Sequence, residues 1–309
     1  MHARVERHVV GEGAALRADQ FLAEVLGLSR RAAQGVCDGG RARFEAGRRV
    51  AKGDRLKVGD TLLVEVDDTP WVLPDPAVPL GVVYVDDALV VFDKPAGVPT
   101  HPLRRGELGT AANGAIARYP ELGGVGPARE AGVAHRLDTG TSGLLVFARN
   151  EFAYTQLRAA FSQGAVEKTY VAMVLGEPPA EGVVRLPIGH AGRSAAQSQV
   201  GEGRGLQHAE TAYRVVRRFS GFALVEAQAR TGRLHQVRVH LAAIGYPLAG
   251  DAEYQDDAAR ARDTTGLTRP FLHASILSLP HPKTGNPVRF QSALPMDLEA
   301  LLAQLAPAA

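Results

Sequence analysis

The chain has 309 residues, 45% hydrophobic and 22% charged, which fits a globular protein with a large core and about two domains. A net charge of +2 does not by itself argue for a nucleic-acid partner, so the placement of charge has to decide that question. A single cysteine, Cys37, excludes an internal disulfide and a cysteine-based metal cage, and no apolar run reaches membrane-spanning length.

Residues 18–26 space apolar side chains at a helical period, and Gly27 is the stop. Ser29 is placed to cap a second short helix over residues 30–37, which the Asp38-Gly39-Gly40 cluster ends. Cys37 follows Val36 there and reads as a buried thiol, not a nucleophile. Two strand-like runs follow, the second at residues 61–66, and complete a small α+β unit of residues 1–68. Between Arg30 and Lys57, nine basic residues stand against three acids. Such density is the usual footprint of phosphate-backbone binding; the rival reading is a solvated charged face. Arginine outnumbers lysine thirty to five, which suits forked phosphate recognition but carries little weight, since genome composition produces the same bias.

The stretch 67–79 holds four prolines and three aspartates, so residues 69–79 read as an extended linker outside any core. The second domain, residues 80–309, opens with a hairpin pattern at 82–85 and 89–92 around Asp86-Asp87. A helix is expected over 151–163, with Asn150 as cap and Gly164 after its end. A strand is expected at 170–175. Residues 191–207, rich in Gly, Ser, Ala and Gln, read as a mobile loop or long hairpin tip, and 255–269 as a surface excursion.

The run Ala134-His135-Arg136-Leu137-Asp138-Thr139-Gly140-Thr141-Ser142-Gly143 sets one acid beside two basic side chains in a turn rich in glycine and hydroxyls. Neighbouring positive charge favours the ionised form of such an acid and readies it as a nucleophile or base. The bland rival is a turn acid that satisfies backbone amides. This run resembles the catalytic loop of the RluA-type RNA pseudouridine synthases, in which the Asp is essential. Four further segments match that pattern in order. They are Asp93-Lys94-Pro95-Ala96-Gly97 with His101-Pro102, Lys168-Thr169-Tyr170-Val171-Ala172, the run 230–241 from Arg230-Thr231-Gly232-Arg233 to His240-Leu241, and Gly245 to Asp251 with Phe271-Leu272-His273-Ala274. The resemblance covers roughly residues 80 to 295.

It implies an α+β fold, a catalytic domain on a mixed, mainly antiparallel sheet flanked by helices and loops. The implied reaction turns uridine in RNA into pseudouridine by moving ribose C1′ from N1 to C5 of the uracil, with no cofactor. Asp138 would attack C1′ or remove a sugar proton, and Arg233 would be its ionic partner. Tyr170 would stack on the uracil and assist proton removal at C5; its rival reading is a half-buried strand tyrosine. Arg136 would fill the gap left by the flipped base. His135 faces RNA in this reading, and Thr141 and Ser142 bind phosphate or shape the loop. The order of elements in residues 1–68 resembles the S4-type RNA-binding domain, which places Arg30, Arg31, Arg41 and Arg43 toward RNA. That family often has Asn-Gly where this chain has Glu45-Ala46-Gly47. The RluA-type enzymes commonly carry a basic-acidic pair where this chain has Thr139-Gly140, a change expected to remove charge at the rim and loosen the loop.

Treated as a helix, the third block puts Leu234, Val237, Leu241 and Ile244 on one stripe, with Arg233, Gln236 and His240 at its edge. His235 and His240 then point about 140° apart, which argues against a metal pair. Gly140-Thr141-Ser142-Gly143-Leu144 lacks the second glycine of a nucleophile elbow, and no P-loop is present. The expectation is a cytoplasmic, monomeric enzyme whose partner is RNA and not a membrane. Large-subunit ribosomal RNA is the expected substrate, because this domain pairing resembles the rRNA-modifying members. tRNA is the alternative, and a non-catalytic RNA-binding or ribosome-assembly protein is the rival from another class.

Overall fold

Local signals set the first elements. In the computed structural model, which describes residues 3–13, 17–191, 197–201 and 204–306, strand β1 spans Ala3–Val9 and helix α1 Ala18–Val25. Helix α2 spans Arg30–Asp38, and the Ser29 hydroxyl caps it by accepting the Ala32 N–H. Strands β2 (Ala42–Phe44) and β3 (Thr61–Asp67) complete an antiparallel sheet in the order β1-β3-β2. Phe21, Leu22, Val36 and Cys37 from the helices pack on Leu62 and Val64 of β3. Strand β1 was not expected because three of its seven residues are charged and its valines, Val5 and Val9, are exposed. Its pairing with β3 holds it in place.

The chain divides into two compact units, Met1–Pro70 and Trp71–Ala309. The expectation that residues 69–79 lie outside any core is corrected. Val72 and Val78 are buried in the core of the larger unit, with Trp71 against it. The Asp75 carboxylate accepts the Gly109 N–H, and Asn113 donates to the Leu73 carbonyl. Proline removes ladder donors, but apolar neighbours in such a strap still pack.

The larger unit opens with β4 (Gly81–Val85), β5 (Leu89–Lys94), α3 (Ala111–Arg118) and β6 (Ser142–Ala148). Then come α4 (Glu151–Ser162), β7 (Glu167–Leu175), β8 (Glu181–Val184) and the short strands β9 (Ile188–His190), β10 (Ser198–Val200) and β11 (Arg204–Gln207). The rest is β12 (Thr211–Phe219), β13 (Phe222–Ala229), α5 (Gln236–Ala243), α6 (Asp257–Arg262), β14 (Leu272–Pro280), β15 (Pro287–Gln291) and α7 (Met296–Gln304). Among the described residues a nine-stranded sheet runs β4-β5-β6-β14-β7-β13-β12-β8, with β15 also on β14. Its neighbours are antiparallel except β6 and β14, which run parallel. The fold is therefore α+β on a mixed, mainly antiparallel sheet.

Alternation along β6 supplies both faces of this sheet. Leu145 and Phe147 join the core that also holds α3 and α5, while Leu144 and Val146 join the core under α4. Asn150 caps α4 by accepting the Ala153 N–H. Within 191–207 the described residues include β10 and β11, which flank β9 in a small antiparallel sheet, the hairpin alternative of the two expected. Residues 192–196 and 202–203 of that segment lie outside the described residues. The excursion at 255–269 carries α6 and is tied down by Asp263, whose carboxylate accepts the Gly250 N–H and the Gln255 amide.

Candidate active site

The loop around Asp138 is a turn closed by the Thr141 N–H on the Asp138 carbonyl at 3.1 Å, with Thr139 and Gly140 at its centre. The segment from Lys94 to Thr100 braces it. The Thr100 hydroxyl donates to the Leu137 carbonyl at 2.7 Å and accepts the Leu137 N–H at 3.1 Å. The Gly97 N–H reaches the Thr139 carbonyl at 2.8 Å. Lys94 Nζ donates to the Pro95, Val98 and Thr139 carbonyls. On the other side Arg269 Nη1 reaches the Gly140 carbonyl at 3.5 Å, and a Cβ on Gly140 would come within 3.0 Å of Pro270 Cδ. The loosening expected from Thr139-Gly140 is therefore absent: the backbone carbonyls of both residues are held.

Lys94 is fully buried. Burial lowers its pKa to about 7, against the opposing pull of the Asp138 charge.

The Asp138 carboxylate sits over the start of α5. Arg238 Nη1 lies 3.4 Å from its Oδ2, and His235 Nε2 lies 3.9 Å from its Oδ1. Arg238 is 8% exposed; its Nε and Nη2 each reach Asp251 at 2.7 Å, and Nη2 also reaches Glu253 at 2.7 Å. Burial opposes its charge, but the bonds and charges of Asp251, Asp138 and Glu253 outweigh burial and raise its pKa above the ordinary value. Burial lowers the pKa of His235, and the Asp138 charge works the other way.

The expected pairing of Arg233 with Asp138 is corrected. Helix α5 begins at Gln236, so Arg233 lies before it, and its Nε donates to the His208 carbonyl at 2.9 Å. The first inward-facing basic residue of the helix is Arg238, five residues further on. Sequence reasoning missed it, although Asp251 and Glu253 in the next block are acids in need of a buried cation. Gln236 is buried and bonds Thr231, the Arg233 N–H and the Glu210 carbonyl, which fixes the approach to α5. His240 is buried between Thr211 and the Leu186 carbonyl, so it borders no cleft.

Asp138 opens into a cleft of about 660 Å3, walled by the Asp138 loop, the end of α4, β7 and the run 229–238. Tyr170 on β7 lines it, and burial together with the Asp138 charge raises its phenol pKa above the ordinary value. Arg136, Arg158, Lys168, Arg230 and Arg233 also line it, and among the described lining residues Asp138 is the one carboxylate. Burial lowers the Lys168 amine to about 8, with the Arg233 charge adding to the effect.

Two of the residues expected to face RNA are bonded within the fold, although His135 also lines the cleft. His135 stacks on Phe161 at 4.8 Å, and its Nε2 accepts the Val146 N–H. Burial takes its pKa to about 3, so it offers phosphate no charge. Ser142 is buried and bonds His273 Nδ1 at 3.0 Å, joining β6 to β14. Thr141 is buried at the cleft wall with its Oγ1 unpartnered, and Arg136 is exposed at the rim.

In the first unit, Arg30 is exposed, but its Nε is engaged within the fold. It bonds the buried Asp19 carboxylate, as do Arg17 and Gln34. The Arg17 bond leads these in holding Asp19 well below the carboxylate range. Arg31, Arg41 and Arg43 are exposed, with no acid partner among the described residues. No helix among the described residues is long and apolar enough to cross a membrane.

The mixed, mainly antiparallel sheet with a basic cleft is an architecture that suits an RNA-modifying isomerase. The chain belongs to the RNA pseudouridine synthase family, of the RluA type: residues 88–243 match the family described as RNA pseudouridylate synthase. A Mycobacterium bovis protein described as an uncharacterized RNA pseudouridine synthase is 37% identical over 294 residues, 94% of each chain. Ribosomal large subunit pseudouridine synthase D of Nitrosomonas europaea is 40% identical over 230 residues, 73% of this chain and 65% of that protein. The structure of human RNA Pseudouridylate Synthase Domain Containing 4 matches with a TM-score of 0.58 and 28% identity, covering 72% of this chain and 92% of that one.

Proposed function

We propose that this isomerase converts uridine to pseudouridine in large-subunit ribosomal RNA, with Asp138 as its essential carboxylate. The observation that carries the reading is the Asp138–Arg238 ion pair at the base of a cleft whose other charged lining residues are basic. Arg238 aims the carboxylate, the cleft has room for a base taken out of its stack, and Tyr170 offers that base an aromatic wall. Arg136 at the rim and Arg31, Arg41 and Arg43 in the first unit, whose order of elements is S4-like, meet phosphates. The isomerisation is redox-neutral and transfers no external group, so it requires no cofactor. The Nitrosomonas relative's name, ribosomal large subunit pseudouridine synthase D, supports the rRNA assignment. The enzyme acts as a cytoplasmic monomer in this reading.

The test incubates the purified protein with large-subunit rRNA and tRNA transcripts and maps pseudouridine by carbodiimide modification and primer extension. Product in the rRNA is expected, and product in tRNA alone would move the substrate. No product on any RNA, including total RNA from a strain lacking the gene, would overturn the reading. Asp138→Asn should abolish turnover and leave RNA affinity within about threefold, since phosphate contacts dominate binding.

A further inference from the structure

The two oxygens of Asp138 have different neighbours: Oδ2 faces Arg238 at 3.4 Å, and Oδ1 faces His235 Nε2 at 3.9 Å. Among the described residues, His235 is one of two non-glycine residues with positive φ, at 54°, and it sits at the cap of α5. Backbone strain of this kind persists only where the surroundings hold it.

The far side of the ring is also fixed. His235 Nδ1 lies 2.9 Å from the Tyr254 hydroxyl, and the Ser198 backbone N–H donates to that hydroxyl at 3.1 Å. Burial pushes the Tyr254 phenol up to about 12, so it keeps its hydrogen. Among the described residues, His235 Nδ1 is the acceptor within reach of that hydrogen. The order of donation is then Ser198 to Tyr254 to His235, which makes Nδ1 an acceptor and leaves the ring proton on Nε2, toward Asp138. Glu253 Oε1 is the competitor, but at 3.5 Å it stands farther from Nδ1 than the Tyr254 hydroxyl at 2.9 Å, and the charge of its carboxylate is shared with Arg238, which engages Oε2 at 2.7 Å. Asp251 is held by the same guanidinium.

We propose that His235 is a positioning residue for Asp138: its Nε2–H holds Oδ1, and Tyr254 with the Ser198 amide fixes the tautomer that makes this possible. The contact closes to hydrogen-bond length when RNA fills the cleft, as catalytic hydrogen bonds commonly do on substrate binding. Because Ser198 lies on β10, the small sheet is tied to the reactive carboxylate through two side chains. The inference rests on the proposed role of Asp138.

Two substitutions separate this role from a backbone role. A glutamine amide reaches the Nε2 position and an asparagine amide only the Nδ1 position, whereas left-handed backbone favours asparagine. With saturating RNA in single turnover, His235→Gln should stay within about tenfold of the wild-type rate and His235→Asn should fall about a hundredfold, with RNA affinity unchanged in both. An asparagine variant as fast as the glutamine variant would overturn the proposal. A second readout needs no activity: 15N NMR of the imidazole should show the Nε2–H tautomer, shifting to a mixture in Tyr254→Phe. An Nδ1–H ring or an imidazolium in the wild type would also overturn it. If the wild type modifies no RNA, the proposed function fails while the NMR still decides the tautomer. If Asp138→Asn is inactive and both His235 variants run at the wild-type rate, this inference alone falls.

Discussion

Arg238 binds Asp251 through two nitrogens at 2.7 Å and presents the third, at 3.4 Å, to the Asp138 carboxylate. A lysine carries the same charge but cannot make the fork. Arg238→Lys should therefore lower turnover at least about a hundredfold and cost about 2 kcal/mol of stability, because Asp251 and Glu253 keep a poorer buried partner. Single-turnover rates and thermal unfolding of the same preparations check this. A rate near wild type would show that the fork does not aim Asp138.

The parallel pairing of β6 with β14 brings Gly143 opposite Ala274, with Gly143 at φ 114°. A Cβ there would stand 2.3 Å from the Ala274 carbonyl oxygen and 2.7 Å from its nitrogen. The glycine that follows Thr141-Ser142 thus serves a backbone approach, not catalysis. Gly143→Ala should destabilise the larger unit by at least about 3 kcal/mol, combining strain with a backbone clash. Denaturant unfolding monitored by circular dichroism measures it, and a loss under about 1 kcal/mol would contradict the described register.

What could be read from the sequence was local. Ser29 and Asn150 act within one turn of their own helices, so their capping roles were visible, and so was the hairpin of β4 and β5, two short apolar runs around Asp86-Asp87. Asp138, Tyr170 and the basic run 230–238 were legible as chemistry in a fixed order, and the structure brings them to one cleft. The errors came from contacts distant in the chain. Asp138 and Arg238 lie 100 residues apart in the chain, with Arg233 in the same block, so spacing could not choose Arg238 over Arg233. His135 and Ser142 looked RNA-facing because Phe161 and His273, which occupy them, lie on other elements. Helix α3 escaped notice because its run of small residues, Ala111-Ala112-Asn113-Gly114-Ala115, carries a weak period and depends on the Thr110–Asn113 capping box. Residues 69–79 misled because proline signals the absence of a ladder, not the absence of packing.

Lys94 couples the Asp138 loop to pH. Its pKa is lowered from 10.5 to about 7 by burial, with Asp138 opposing. The native state therefore loses this proton first, and between pH 7 and 10.5 the unfolded chain holds more protons. Stability from this group accordingly rises with pH across that window and is flat below it. Lys94→Met removes the titration, so the unfolding free energy of the wild type relative to this variant should increase as pH rises through the window. A difference independent of pH would show that the amine keeps its ordinary pKa. The variant also removes one of the two donors on the Thr139 carbonyl, leaving the Gly97 N–H, and turnover should fall about tenfold as the Asp138 turn loses a brace.

Within the basic segment of the first unit, Arg30 and Arg43 do different work. Arg30 Nε lies 3.0 Å from the buried Asp19 carboxylate, which Arg17 and Gln34 also hold, so its charge is already paired although the side chain is exposed. Arg43 is exposed on β2, with Arg41 exposed just before that strand. Arg30→Ala should cost about 1 kcal/mol of stability and leave the salt dependence of RNA binding unchanged, since an already paired cation releases few counterions. Arg41→Ala and Arg43→Ala should leave stability within about 0.5 kcal/mol and weaken RNA binding, each reducing the slope of log affinity against log salt by about one. Filter-binding titrations across a salt series, alongside melting curves, separate the two classes. If Arg30→Ala flattened the slope as much as Arg43→Ala, the Asp19 pairing would not hold Arg30 in the complex. If neither Arg41 nor Arg43 altered the slope, the basic face of this unit would point to solvent and RNA affinity would come from the cleft alone.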